Sequence, residues 1–480
     1  MEESTQRMSR QNSFDRTTAP GERRAQKSEI IAITAVLVIG AGLLDWLPMA
    51  AVRLAAVGVI AAQAWLEIGT ARKLFLASPA FLLAAICVVF YSLLPAVLLP
   101  VSITIVQKVV GYVGSDAERY VIVFAMASLL THLFVCRRLD DGPDQQAVPP
   151  RFDARITNLF IGASIAITAA NIILYSAFPQ GAPYVTPLRW LFPPLQAFLV
   201  VCLLRRAIAG SRGLRVLVVL LAAVAVLGLL AVHERKIPIF ITVAGALYWF
   251  SLQDISIKKA LMGGVVCALV AIGMIHVAQA IRTPQLSLLH PEVSGKSMLF
   301  VFQYVLDGKF VLRQVDTGKC FLNVIKAHWY EPFVVSNQLF WLQGLVPRIV
   351  WPDKPSLSLG QDYSTRYCGF EEKHVHSSSI TLLGQPVIQG GWAGLLVHGG
   401  ILLIALGAFA RLSRNPGSLS STTIAAMLPW LIDFDQDFAI YMANAVKFFL
   451  VMSPLVLIAG LSEKNEAAWR LAGRFGFRMR

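Results

Sequence analysis

Apolar runs of about 18 residues recur from position 30 to position 461, and this repetition limits what the chain can fold into more than any other feature. A helix of that length matches the hydrocarbon thickness of a bilayer. There, every backbone amide has to find its partner within the segment itself. Hydrophobic residues make up 56% of the chain and charged ones only 15%, against about 25% charge in an ordinary soluble domain. The sequence therefore reads as an all-α polytopic membrane protein.

The runs fall at 30–44, 51–70, 79–99, 120–135, 156–178, 188–204, 216–232, 237–252, 261–281, 387–410, 422–432 and 438–461. That gives about 12 transmembrane helices with one large periplasmic loop. Pro193 and Pro194 are expected to interrupt the sixth run. Lysine and arginine gather at 72–73, 137–138, 205–206, 258–259, 411 and 414, at the ends of alternate runs. By the positive-inside pattern both termini are cytoplasmic and the long polar segment lies outside. The organisation is then a polar tail (1–28), helices one to nine (29–281), the periplasmic loop (282–384), helices ten to twelve (385–461) and a basic tail (462–480).

The net charge of +14 would suggest nucleic acid in a soluble protein. Here the cations flank apolar runs, so membrane lipids are the expected partner and nucleic acid is not. Of six cysteines, Cys87, Cys136, Cys202 and Cys267 lie in or beside apolar runs, as small hydrophobes. Cys320 and Cys368 fall in the polar segment, where an oxidising compartment would let them pair.

The 282–384 segment is far longer than a connection requires. It carries ten Lys or Arg, eight Asp or Glu, and four of the chain's eight histidines, His290, His328, His374 and His376. Within it stands VPRIVWPDKP. The prolines stiffen the backbone, Trp351 suits an interface or a sugar ring, and Arg348 and Lys354 suit phosphate oxygens. An interfacial anchor would use the same residue types. Arg235, in the cluster His233 to Lys236, and Arg282, at the end of the ninth run, could join Arg348 in one basic pocket. A tight solvated hairpin with Glu234 paired to Lys236 is the alternative for Arg235, and an ordinary charged helix end is the plainer explanation of Arg282. Asp433, Asp435 and Asp437 alternate in IDFDQDF and could meet a divalent cation, although without EF-hand spacing a solvated turn fits better. Lys447, one or two turns into the last run, is expected to pair with an acidic neighbour. No nucleotide-binding glycine loop and no zinc-ligand spacing occurs, so no cofactor or metal is expected.

The run LVPRIVWPDKPSLSLGQDYSTRY, followed by SSSITLLGQPVIQGGWAGLLVHGG, resembles the Wzy-type polymerases of O-antigens and exopolysaccharides, which are related to the O-antigen ligases. Those proteins carry a Pro-Arg-x-x-Trp-Pro-x-Lys-Pro element, matched here at Pro347, Arg348, Trp351, Pro352, Lys354 and Pro355. Their second, glycine-rich element is matched at Gly384, Gly391 and Gly394. The chain departs from it at Gln385, where the family often has Glu, and at Gln389, where it often has Asn.

The resemblance implies a metal-independent membrane glycosyltransferase. It would join polyprenyl-pyrophosphate-linked oligosaccharide repeat units, with chain-length regulator and export proteins as partners. Arg235, Arg282, Arg348 and Lys354, with Trp351, would hold the pyrophosphate and substrate. His376, His374, Glu372 and Asp362 are the candidate bases. An O-antigen ligase, or a flippase for lipid-linked oligosaccharides, is the alternative.

Overall fold

The computed structural model describes residues 47–71, 78–93, 116–137, 154–178, 186–208, 210–231, 312–346, 353–355, 360–369, 380–413 and 418–474, with positions 96 and 351 and isolated positions between 242 and 273. Every regular element among them is helical. In chain order they are α1 (Met49–Ala71), α2 (Pro79–Val88), α3 (Asp116–Arg137), α4 (Ala154–Ala177), α5 (Thr186–Ile208) and α6 (Arg212–Ala231). Then come α7 (Leu312–His328), α8 (Gly360–Arg366), α9 (Thr381–Ser413), α10 (Leu419–Leu431) and α11 (Phe438–Arg474). A π-helical turn, Val89–Leu93, continues α2, and a 3-10 helix, Val335–Leu345, lies between α7 and α8.

Four of the described helices are long and apolar enough to cross a membrane: Ala117–Val135, Ala154–Leu174, Thr381–Ser413 and Phe438–Leu461. Met49–Trp65, Pro79–Leu93 and Leu419–Leu431 are shorter apolar helices. The runs at 30–44 and most of 237–252 and 261–281 lie outside the described residues. Helix α5 passes through Pro193 and Pro194 without a break, where interruption was expected. Both prolines are buried, and packed neighbours can satisfy the backbone groups that a proline frees.

The core forms where α2 packs on α3, α3 on α9, and α10 on both α5 and α11. Apolar side chains also face outward. Val216, Val219, Leu220, Val224 and Leu227 make an exposed stripe along α6 at helical spacing, as lipid contact requires. An ion pair ties α1 to α3. Arg53 of α1 grips Glu118 of α3 through two bonds, Nε to Oε1 at 2.6 Å and Nη2 to Oε2 at 2.7 Å. Ser92 of the π-turn donates to the same carboxylate at 2.5 Å.

The polar segment is folded onto this bundle. Helix α7 packs against α9 and α3, and the 3-10 helix lies along α11. A disulfide joins Cys320 in α7 to Cys368 just beyond α8. Cys87 and Cys202 are buried and form no disulfide among the described residues.

The dominant irregularity is in α9. Its backbone leaves helical geometry at Gly390 and Gly391, and Gly391 has φ +59°. Eight residues along a straight helix span about 12 Å. Yet a Cβ on Gly394 would stand 2.4 Å from the Pro386 carbonyl oxygen, so the chain folds back at the glycine pair. The break admits the end of α7. Trp392 N–H donates to Trp329 O at 3.1 Å, and a Cβ on Gly391 would stand 2.6 Å from that oxygen and 2.8 Å from Glu331 O.

Only glycine meets both demands at 391. Gly391→Ala is expected to lower the melting temperature sharply or to abolish folded yield. Gly400→Ala, with nothing within 4 Å of its Cβ position, should be neutral or stabilise by up to about 1 kcal/mol. Thermal melting in detergent measures both. Replacing Cys320 and Cys368 together by alanine removes a cross-link across 48 residues, which in the chain-entropy treatment stabilises by about 4 kcal/mol. The double variant should melt earlier than wild type under oxidising conditions and at the same temperature as wild type in reductant.

Candidate functional site

The break in α9 and the disulfide bring the polar segment to the head of α11. The 3-10 helix reaches there first. Its Gln338 donates from Nε2 to Gln389 O and to Val334 O, each at 3.0 Å. The Gln338 carbonyl oxygen lies 3.0 Å from His398 Nε2, and Gly394 O lies 2.9 Å from His398 Nδ1. Phe340 and Trp341 lay their rings on Phe438, the first residue of α11. His398 is fully buried between Phe340 and Phe438.

Asp437 precedes α11 and is 6% exposed. An aspartate before an apolar run ordinarily caps a helix in contact with water. Here Gln385, near the start of α9, bonds to the first turn of α11, and Tyr363 of α8 lies close enough to feel the Asp437 charge. Asp437 Oδ1 has no hydrogen-bond partner among the described residues. Burial pushes its carboxyl up to about 7. Tyr363, buried on α8, feels the Asp437 charge and shares a hydrogen bond with Gln385. Burial first, then that charge, holds its phenol above the usual range. Gln385 in turn accepts the Ala439 N–H through Oε1 at 2.9 Å. One carboxyl, one phenol and one amide therefore converge on the first turn of α11.

The three aspartates expected as a possible cation site do not converge. Tyr91 donates to Asp435, Gln436 donates to Asp433 Oδ2 at 2.7 Å, and Asp437 is buried. Among the described residues no three His, Cys, Asp or Glu side chains gather to hold a metal ion.

The residues singled out from the sequence divide as follows. Lys354 is buried and donates from Nζ to Val346 O at 2.8 Å. Trp351 is 39% exposed, and its carbonyl accepts the Lys354 N–H at 3.3 Å. Asp362 is exposed on α8, next to the inward-facing Tyr363. His374, His376, Glu372, Arg235, Arg282 and Arg348 lie outside the described residues. Lys447 does not pair with an acid among the described residues. Tyr363 was not singled out in the sequence, because nothing in GQDYSTR distinguishes it before α8 is docked.

No protein-family model, curated protein or solved structure matches the chain.

The buried carboxyl predicts a pH dependence of stability. Its folded-state pKa is raised, so its contribution to stability is fully present below the ordinary carboxylate pKa of about 4. That contribution is lost as pH rises through about 7. Melting temperature should therefore fall between pH 4 and pH 7, and Asp437→Asn should flatten the decline.

Proposed function

We propose that this protein is a polymerase in the bacterial inner membrane that joins polyprenyl-diphosphate-linked oligosaccharide repeat units on the periplasmic face. The observation that carries the reading is the buried carboxyl of Asp437 before α11, with Tyr363 and Gln385 beside the same turn. Glycosyl transfer from a lipid diphosphate needs a proton acceptor for the incoming hydroxyl and positive charge for the leaving group. The disulfide between Cys320 and Cys368 supports an oxidising location for the polar segment. The apolar helices support a membrane setting.

In this reading Asp437 takes the proton of the acceptor hydroxyl. The freed oxygen attacks the anomeric carbon of the donor glycan and forms the new glycosidic bond. The bond from that carbon to the diphosphate oxygen breaks, and the electron pair leaves on the diphosphate. Lys354, with Arg348, Arg235 and Arg282 as further cations, stabilises that charge. Trp351 offers an exposed ring for a sugar face. His376, His374, Glu372 and Asp362 remain candidates for the same base role. Asp437 ranks above Asp362 because its raised pKa lies near the working pH, whereas Asp362 is exposed.

The resemblance gains a physical counterpart at position 385. The related polymerases often carry Glu there, whereas Gln385 here accepts a bond from the backbone of α11. The carboxylate of this neighbourhood is Asp437, two residues before the residue that donates to Gln385.

The test is complementation of a deletion strain with Asp437→Asn, followed by separation of the surface glycan by size. Single repeat units in place of long chains are expected, at normal protein level in the membrane. Long chains left unattached to their carrier would indicate a ligase. Repeat units trapped on the cytoplasmic face would indicate a flippase. Normal long chains would remove Asp437 from the mechanism. In membranes carrying wild type, chain growth should rise with pH through about 7.

A further inference from the structure

The polar segment contains a stretch that is not polar. From Pro332 to Pro347 it carries no charged residue and no histidine. The 3-10 helix Val335–Leu345 lies within this stretch. Its inner side is occupied: Gln338 and Gly344 are buried, and the Phe340 and Trp341 rings pack on Phe438. Its outer side is open. Ser336 and Asn337 stand there uncharged, beside Val335 at 72% exposure, Leu339 at 55% and Leu342 at 38%. Phe333 and Val334, which lead into the helix, are exposed as well. Apolar surface of this kind costs free energy in water and calls for a cover.

The level of this helix follows from its contacts. The Phe340 ring lies 5.2 Å from the His398 ring, and the Gln338 carbonyl oxygen lies 3.0 Å from His398 Nε2. His398 stands seven residues beyond the break at Gly391 and thirteen before Arg411, the cation in the last turn of α9. At 1.5 Å per residue these are about 10 Å and about 20 Å along the helix. A hydrocarbon core about 30 Å thick that ends near Arg411 therefore takes in the level of His398. Phe438, which also meets Phe340, is the first residue of a span. Irregular backbone at that level is tolerated only when its polar groups find partners inside the protein. Both caps meet this demand through side chains. Gln338 Nε2 donates to the carbonyl of Val334, the N-cap, at 3.0 Å, and Lys354 Nζ donates to that of Val346, the C-cap, at 2.8 Å.

We propose that Phe333–Leu345 is a re-entrant element lying in the bilayer, in the leaflet farther from Arg411, with Val335, Leu339 and Leu342 among lipid acyl chains. The cover is lipid because the patch continues the lipid-facing surface of the spans it packs on. Trp392 and Leu396 of α9, and Phe449 and Leu450 of α11, are exposed in the same way. Acyl chains ask only for apolar surface, whereas a protein partner is met through a polar rim, for which this stretch holds no charge. The placement is independent of any polymerase activity.

The experiment places a genetically encoded fluorescent amino acid at Val335 or at Leu339 of the full-length protein in nanodiscs. Leu450, exposed within the α11 span, is the lipid reference, and Lys326, exposed near the end of α7, is the water reference. Quenching is read with phospholipid carrying a nitroxide on its acyl chain and, separately, with aqueous iodide. The probes at Val335 and Leu339 should lose most of their signal to the nitroxide lipid, as the probe at Leu450 does, and little to iodide. Quenching by iodide to the extent found at Lys326 would put the helix in water and overturn the proposal. Protection from both quenchers would reveal a protein cover, from another chain or a second copy, and overturn it as well. Melting in detergent at the wild-type temperature verifies that each probe leaves the fold intact. Leu342, on the same face, replaces either position if it does not.

Discussion

The close approach of two backbones at Gly391 is the contact on which the rest of the site depends. The Trp329 and Glu331 carbonyls occupy the space where any other residue would place its Cβ, and the Trp392 N–H exposed by the break bonds to Trp329 O. A continuous helix would present no free N–H and would keep residues 386 and 394 about 12 Å apart. The fold-back thus does two things at once. It satisfies a backbone donor inside an apolar region and locks the end of α7 to the membrane bundle. The 3-10 helix follows directly from this anchored end, and Gln338 bonds it to the Gln389 carbonyl, just before the break.

Buried charge divides into two kinds. Arg53 and Glu118 neutralise each other with two short bonds and a serine in support, and they tie α1 to α3. Losing either partner of such a pair leaves a lone buried ion, a loss of about 3–5 kcal/mol. Asp437 and Lys447 have no such arrangement among the described residues. Groups left in that state lower stability, and proteins keep them where substrate or ligand supplies the missing partner. Both belong to α11, near the place where the polar segment docks. The same wall that carries the structural packing of Phe438 therefore also carries the uncompensated groups.

Much of the helical plan was legible in the chain. Runs at 120–135, 156–178 and 438–461 correspond closely to the described spans, because hydropathy over such lengths leaves few alternatives in lipid. The Pro193-Pro194 pair misled, since a local rule about proline takes no account of neighbours that satisfy the freed carbonyls. The interest of Lys354 was visible in its proline-rich setting, but its burial was not. Asp437 looked like one of three solvated carboxylates, because an alternating DFDQD pattern carries no sign that its last member is buried by segments distant in sequence. Lys447 looked like half of an ion pair for a similar reason: a sequence does not show which acids a span lysine will fail to meet.

The sequence by itself determined the material: apolar helices of membrane length, a long polar segment holding two cysteines, and a glycine-rich run that follows it. These follow from composition and spacing, which act locally and are written residue by residue. Only the tertiary structure decided which charges lose their water and which keep it. Desolvation depends on what other segments cover a group, and here α9 and the 3-10 helix pack against α11. Asp437, which by sequence could cap α11 in water, is buried there.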